Sequence, residues 1–216
     1  MKCNLNIIID ASFSMSLGKL EAINHFFKEE FNEVIEEVNL ESKDLINLSV
    51  LSFNDKANWV LKDKDLKQKI VWDELVACGR SKINNALNLL NNANNGNYNF
   101  NILISDGYID DLDEQMFDPK EIKYGLLIGS EYKETRNKMI KYTGETKRVI
   151  TLYFDYDLKR IFKIILDSIV KAENLNLIIR IIYHCFKSRN DGIFLFLSIV
   201  KNKSINSLIF SSENIF

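Results

Sequence analysis

The sequence predicts an α/β protein with a doubly wound, mainly parallel central sheet that is covered by helices on both faces. One observation is the alternation of apolar segments of strand length with longer amphipathic segments, which is the pattern of repeated strand–helix–strand units. The other is the first apolar run, Leu5 with residues 7–9, which is typical of a central strand buried on both faces. We predict one such domain over residues 1–172 and a C-terminal extension of unassigned role over residues 173–216.

Composition limits the classes of protein to which the chain can belong. With 216 residues, of which 46% are hydrophobic, it can bury one sizeable core. Its 28 Lys and Arg residues nearly balance its 30 Asp and Glu residues, so we expect neither nucleic acid nor an anionic membrane as a partner. Three cysteines without zinc-site spacing, and a start without signal-peptide features, lead us to expect a reduced, cytoplasmic protein.

The spacing of apolar residues places the elements in order. Continuous or alternating apolar runs predict strands, and three- and four-residue spacing predicts amphipathic helices. The predicted strands are residues 5–9, 45–53, 57–61, 100–105, 122–129 and 149–153. The predicted helices are residues 19–38, 83–90, 133–142 and 157–171.

Several connections can also be predicted. The second and third strands are expected to pair as a hairpin. The charged segment at residues 62–69 is expected to be a surface turn or a short helix, and Trp72 and Leu75 after it to be core anchors. In the extension, we expect a helix at residues 175–186. The apolar run at residues 193–200 is shorter than the ~20 residues of a membrane helix and is expected in a hairpin.

Oxygen-bearing side chains follow the first strand directly. Asp10, Ser12 and Ser14 are spaced two residues apart, so their side chains can converge on one point in an extended or turning loop. A carboxylate and two hydroxyls are hard oxygen donors, which suit Mg²⁺, Mn²⁺ or Ca²⁺. The alternative is a polar turn in which Ser12, Ser14 or Ser16 caps the next helix.

Two later segments can add oxygens to this turn. Ser81 follows Gly79 and stands where the N-cap of the helix at residues 83–90 belongs. Asp106 ends the strand at residues 100–105. Doubly wound sheets bind ligands beyond the carboxyl ends of their strands, at the point where the strand order reverses. If the two strands are neighbours at that point, the three segments meet in one crevice.

These three elements together resemble the metal-ion-dependent adhesion site of von Willebrand factor type A (VWA) domains. The D-x-S-x-S element is matched fully at residues 10–14. Ser81 falls on the position of a helix-opening threonine, and Asp106 lies in a matching Ser-Asp-Gly strand end. The resemblance covers about residues 4–172. Within the family, the chain is most similar to TerY-type bacterial proteins of tellurium resistance and stress response, notably in its acidic loop at residues 106–111.

The resemblance implies five metal-binding residues, which are Asp10, Ser12, Ser14, Ser81 and Asp106. It implies that serine hydroxyls ligate Mg²⁺ (or Mn²⁺ or Ca²⁺), Ser81 directly or through water, while both carboxylates act mainly through bound water. A cation held in this way stays electrophilic, so an Asp or Glu of a partner protein can complete its coordination. The implied function is metal-dependent protein binding without catalysis, in a tellurium-resistance or stress-response system.

Two residues depart from the family's pattern. Ser81 lacks the methyl group of threonine, which restricts the rotamer, so a lower metal affinity is expected. Arg80 replaces a glycine, and we expect it to face solvent or a partner.

Two alternative functions remain open from the residues. One is a Mg²⁺-dependent phosphoryl-transfer enzyme, although no D-x-D pair follows the first strand, where Ser12 stands in place of the second acid, and no phosphate-binding glycine loop is present. The other is a structural module that binds no metal, which the charge of Arg80 favours.

Overall fold

The computed structural model describes residues 3–37, 46–93, 98–113, 118, 121–129, 132–153 and 156–170. Its strands are β1 (Cys3–Asp10), β2 (Ile46–Phe53), β3 (Ala57–Asp65), β4 (Tyr98–Ser105), β5 (Glu121–Ile128) and β6 (Val149–Leu152). They form one sheet in the order β3-β2-β1-β4-β5-β6. β3 runs antiparallel to β2, and the other neighbouring strands are parallel. The predicted fold class is therefore confirmed.

Helices connect these strands, as the spacing of apolar residues predicts. The described α-helices are α1 (Lys19–His25), α2 (Phe31–Glu36), α3 (Ile83–Ala93), α4 (Lys133–Thr143) and α5 (Tyr156–Val170). Among the described residues, no helix has both the length and the hydrophobicity needed to cross a membrane.

The sheet belongs to a compact unit that extends from Met1 to Lys163, and a second unit begins at Ile164. The extension predicted over residues 173–216, with its helix and hairpin, lies outside the described residues. The domain boundary at residue 172 therefore stays a prediction.

β1 is the strand at which the order of strands reverses. It pairs with β2 on one side, with Asp10 opposite Phe53, and with β4 on the other, with Ile9 opposite Ile104. β3 lies beyond β2, whereas β5 and β6 lie beyond β4. The carboxyl ends of β1 and β4 are thus side by side at the edge where such sheets bind their ligands.

The helix predicted over residues 19–38 is interrupted in the structure. A π-helical turn, Phe26–Glu30, separates α1 from α2. A π-turn accommodates an extra residue and shifts the face on which the following side chains lie. Three rings from this region pack against one from α5, with centroids 4.9–5.8 Å apart. The four residues are Phe26, Phe27, Phe31 and, in α5, Phe162. This aromatic cluster fixes the helical segment against the core.

β3 is longer than the sequence predicts. It forms the predicted hairpin with β2, with Phe53 opposite Ala57, but it continues to Asp65. The predicted turn or short helix at residues 62–69 is therefore wrong for its first half. Two register shifts, each with an extra residue on β3, and a positive φ of 49° at Asp63 accommodate the continuation, and aspartate tolerates this conformation better than most residues. Charged side chains fit here because β3 is an edge strand.

The segment between β3 and α3 carries the two predicted core anchors. Trp72 is buried and stacks on Phe27 with ring centroids 4.5 Å apart. Its indole N–H donates to Asn24 Oδ1 at 3.0 Å, and the backbone N–H of Leu75 donates to the same oxygen at 2.9 Å. Leu75 itself is only half-buried. The segment is therefore fastened to α1 mainly through Trp72 and Asn24.

A row of buried amides lies at the amino end of the sheet. Asn4 Nδ2 donates to Asn99 Oδ1, and Asn6 Nδ2 donates to Asn101 Oδ1, each at 2.8 Å. Asn101 in turn donates to the carboxylate of Glu121 on β5. These residues border a cavity of about 20 Å³, which can hold roughly one water molecule. We refer to these five residues as the amide row.

Candidate metal centre

Asp10 is the last residue of β1, and its side chain is fully buried. Its Oδ1 accepts a hydrogen bond from the backbone N–H of Ser12 at 2.9 Å. Its Oδ2 accepts two more, from Ser81 Oγ at 2.8 Å and from Ser105 Oγ at 2.7 Å. Every one of these neighbours donates, which is what an ionised carboxylate requires because it can only accept.

Burial nevertheless opposes the charge of Asp10. It raises the pKa of this carboxyl above its usual value, while the hydrogen bonds from Ser12, Ser105 and Ser81 lower it in part. A cation placed next to the same hydroxyls would offset the desolvation that burial imposes. The end of β1 is therefore electrostatically suited to a positively charged ligand.

The loop after β1 turns so that the hydroxyls of Ser12 and Ser14 face each other. A short 3-10 turn, Phe13–Met15, follows Ser12, and the two Oγ atoms lie 3.1 Å apart. The N-cap position of α1 is occupied by Gly18, whose N–H donates to the carboxylate of Glu21 at 2.9 Å. The alternative in which a serine of this loop caps the helix is therefore wrong.

Ser81 is held against this loop by backbone hydrogen bonds. The N–H of Cys78 donates to Ala11 O at 2.9 Å, and the N–H of Phe13 donates to Gly79 O at 3.0 Å. α3 begins at Ile83, so Ser81 does not occupy its N-cap position, and that prediction is wrong. The hydroxyl instead donates to the buried carboxylate of Asp10, because a charged acceptor forms the stronger hydrogen bond.

Asp106 directly follows β4 and divides its two carboxylate oxygens between different partners. Oδ1 accepts from Ser14 Oγ at 3.1 Å and from the N–H of Tyr108 at 3.2 Å. Oδ2 accepts from Lys19 Nζ at 2.7 Å. The same ammonium donates to the backbone oxygen of Ser14 at 2.9 Å. Lys19 thus fastens the end of β4 to the loop after β1.

Gly107 lets the chain turn immediately after Asp106. Its φ is 80°, and an added Cβ would lie 2.7 Å from the backbone oxygen of Thr135 in α4. Backbone cannot move aside cheaply, so a glycine is required for this close approach. The acidic loop that follows packs against the start of α3, where the N–H of Asp110 donates to Ser81 O at 2.9 Å and the backbones of Asp111 and Lys82 form an isolated parallel β-bridge.

The structure brings all five predicted residues together. Contacts of 2.8, 2.9, 3.1 and 3.1 Å join them in the order Ser81, Asp10, Ser12, Ser14 and Asp106. We refer to these five residues as the oxygen cluster. Their convergence is a property of the fold, whereas their role as metal ligands stays a prediction.

The oxygen cluster fits a small divalent cation. Adjacent oxygens around an octahedral Mg²⁺, with metal–oxygen distances of about 2.0–2.1 Å, are about 2.9 Å apart. Ser14 Oγ lies 3.1 Å from Ser12 Oγ, so little movement is needed for both hydroxyls to ligate one cation. Within the described ranges, no group of three or more His, Cys, Asp or Glu side chains could hold a metal. The oxygen cluster is not a group of that composition, because three of its five residues are serines.

Sequence reasoning missed two residues that contact the oxygen cluster. Ser105 donates to Asp10, and the available signal was a hydroxyl residue immediately before Asp106. Lys19 is the first residue of α1, where the helix dipole disfavours a cation. That unfavourable placement was the signal that Lys19 has another partner. Arg80 is exposed, as expected.

The fold of this chain is that of VWA domains. It matches the structure of VWA2, the ArnB paralog from Sulfolobus acidocaldarius, with a TM-score of 0.58 and 12% identity over 76% of this chain and 45% of that one. It also matches the vWF domain of the type V pili tip protein Mfa5 from Porphyromonas gingivalis, with a TM-score of 0.59 and 8% identity over 80% and 96% of the two chains.

A third structure of this fold holds a metal. Proximal thread matrix protein 1 from the mussel byssus, described with a zinc-occupied MIDAS motif, matches with a TM-score of 0.53 and 15% identity over 79% of this chain. This chain spans 46% of the length of the mussel protein. No protein-family model and no curated protein matches the sequence. Because these identities are low, the structural matches establish the fold alone.

Proposed function

We propose that this chain is a metal-dependent protein-binding module. The oxygen cluster would hold a divalent cation, Mg²⁺ or alternatively Mn²⁺ or Ca²⁺, which would supply an open coordination position for an Asp or Glu side chain of a partner protein. The observation that supports this most strongly is the convergence of five oxygen-bearing side chains from three separate segments at the carboxyl edge of the sheet. The zinc-occupied motif of the mussel protein supports the same class of ligand.

The residues of the cluster have distinct roles in this proposal. The hydroxyl of Ser81 donates its proton to Asp10, which leaves its lone pairs free to face a cation. Ser12 and Ser14 supply two more neutral oxygens, so the direct ligands carry no charge. Asp10 and Asp106 neutralise the cation from behind these hydroxyls. A bound divalent cation would supply an electrophilic position that a partner's carboxylate can occupy.

We further propose that the module is not a catalyst. Asp10 is fully buried, and donors already occupy both of its carboxylate oxygens, which does not suit a nucleophile. Turnover of p-nitrophenyl phosphate with Mg²⁺ by the purified protein, lost in Asp10→Asn, would overturn this part and favour the phosphoryl-transfer alternative.

We also propose a cytoplasmic setting in a tellurium-resistance or stress-response system. The support is the resemblance of the acidic loop, residues 106–111, to TerY-type proteins. Co-purification from a tellurite-treated bacterial host, compared with an untreated one, tests the setting separately from the metal site.

A pull-down with and without EDTA tests the central proposal. Partner proteins should be retained by the wild-type chain in Mg²⁺, released by EDTA, and not retained by Ser14→Ala. Ser16→Ala is the matched control, because Ser16 lies in the same loop but contributes no atom to the hydrogen bonds of the cluster. Retention that persists in EDTA would contradict a metal-dependent mechanism.

A further inference from the structure

Lys19 is joined to the oxygen cluster by an ion pair that is buried at Asp106 and partly exposed at Lys19. Its Nζ lies 2.7 Å from Asp106 Oδ2, and the Asp106 side chain is 2% exposed, whereas that of Lys19 is 28% exposed. Such a pair is screened by solvent and salt much less than a surface ion pair. The stem of Lys19 also lies near Gly129, where an added Cβ would be 3.4 Å from Lys19 Cε. Lys19 is therefore positioned beside the site by its stem as well as by its ammonium group.

The net charge of the site depends on this ammonium group. The carboxylates of Asp10 and Asp106 contribute two negative charges and Lys19 one positive charge, which leaves one net negative charge. A divalent cation would convert this sum to one net positive charge. Without Lys19, the same cation would only bring the sum to zero. The metal-loaded site is thus net positive because of Lys19.

We propose that Lys19 raises the affinity of the metal-loaded oxygen cluster for an anionic partner and lowers the affinity of the cluster for the metal. The inference rests on the proposed function, since it concerns a metal-loaded cluster. A unit charge a few ångströms away repels a divalent cation and attracts a carboxylate. Lys19 also supplies Asp106 with a cation before any metal arrives, so the metal gains less from binding. The two effects on affinity have opposite signs.

Calorimetric titration of Mg²⁺ into chelator-treated protein tests the first effect. Lys19→Met removes the charge but keeps an unbranched side chain, and it should bind Mg²⁺ on the order of tenfold more tightly than the wild type. Lys19→Gln is the second variant, because it keeps a hydrogen-bond donor while it removes the charge. Lys159→Met is the matched control, since Lys159 forms a 2.7 Å pair with Glu33 that has no contact with the cluster.

An NMR titration with acetate at saturating Mg²⁺ tests the second effect. Acetate is the simplest carboxylate probe of a partner's Asp or Glu. Both Lys19 variants should bind it several-fold more weakly than the wild type, with the shifts centred on residues of the cluster. The Lys159→Met variant should bind acetate as the wild type does.

The outcomes separate this inference from the proposed function. If the wild-type chain binds no divalent cation, the proposed function fails. If the wild type binds Mg²⁺ but the Lys19 variants bind it equally or less tightly, the proposed function stands and the inference about Lys19 fails. Weaker binding of both Mg²⁺ and acetate by the variants would mean that Lys19 only positions Asp106. Thermal unfolding of each metal-free variant verifies that it is folded before these comparisons are made.

Discussion

The two ends of the sheet bury polar side chains on the same neighbouring strands, β1 and β4, yet they are chemically different. At the amino end, the amide row consists mostly of asparagines, each of which carries both a donor and an acceptor. At the carboxyl end, the oxygen cluster contains two carboxylates that can only accept. Neutral amides can satisfy one another without a ligand. Two buried carboxylates and one ammonium, which pairs with Asp106, leave an excess negative charge that a divalent cation can neutralise.

Loss of a carboxylate from the oxygen cluster should have the largest effect, and the effect should be on metal binding. Asp106→Ala removes the acceptor of Ser14 and one of the two negative charges, so the affinity for Mg²⁺ should fall by about 10- to 100-fold. Asn101→Ala is the control at the opposite end, and its metal affinity should stay close to that of the wild type. Both are measured by calorimetric titration. Equal losses in the two variants would mean that the effect arises from general destabilisation.

Loss of an amide should affect stability and leave metal binding unchanged. Asn6→Ala leaves the acceptor oxygen of Asn101 without its buried donor, which should lower the free energy of unfolding by about 1–3 kcal/mol. The double variant Asn6→Leu with Asn101→Leu should lose less than the sum of its single variants, because both partners are removed together. Urea unfolding measures these differences. Additive losses would show that the two amides are not coupled.

The smallest expected effect concerns Tyr142, whose buried hydroxyl has no hydrogen-bond partner among the described residues. Tyr142→Phe should raise the free energy of unfolding by about 1 kcal/mol, because it removes an unpaired polar atom. Tyr153→Phe is the exposed control and should change stability little.

The pH dependence of the Tyr142 variant follows from the same burial. Burial, aided by the charge of Glu121, raises the pKa of Tyr142 well above its usual 10.0. Above pH 10 the unfolded tyrosine ionises while the folded one resists ionisation, so the wild type loses stability as pH rises. The advantage of Tyr142→Phe should therefore grow in urea unfolding above pH 10. A constant difference across that range would contradict the assigned burial.

Much of the fold follows from local sequence. Apolar spacing predicts the described strands and helices to within a few residues, because each pattern reflects which face of an element is buried. The same logic fails where tertiary packing dominates. The aromatic side chains around Phe26–Glu30 favour a π-turn that their spacing does not indicate, and β3 continues through charged residues as far as Asp65 because it is an edge strand.

The candidate site could be assembled from sequence only in part. Asp10, Ser12 and Ser14 belong to one short segment, but Ser81 and Asp106 join them only if the first strand lies beside the strand at residues 100–105, and the sequence left that adjacency open. The direction in which a hydroxyl donates could not be predicted, which is why Ser81 was expected to cap a helix.

The sequence pattern also could not predict which side chains contact each other across the sheet. The two-residue spacing of Asn4 with Asn6, and of Asn99 with Asn101, indicates that each pair shares a face. Only the register of β1 against β4 shows that the pairs meet. The pairing of Lys19 with Asp106 likewise depends on the packing of α1 beside the end of β4.

The most direct test of the account is a calorimetric titration of Mg²⁺ into chelator-treated wild-type protein, paired with thermal unfolding of the same samples. A metal site in the oxygen cluster should give saturable binding of one cation per chain, a Tm that rises with Mg²⁺ concentration, and the loss of both effects in Ser14→Ala. Absence of both heat and any Tm shift up to about 10 mM Mg²⁺ or Mn²⁺ would contradict it, because a cation that binds the folded state must stabilise it. The oxygen cluster would then be a structural network that binds no metal.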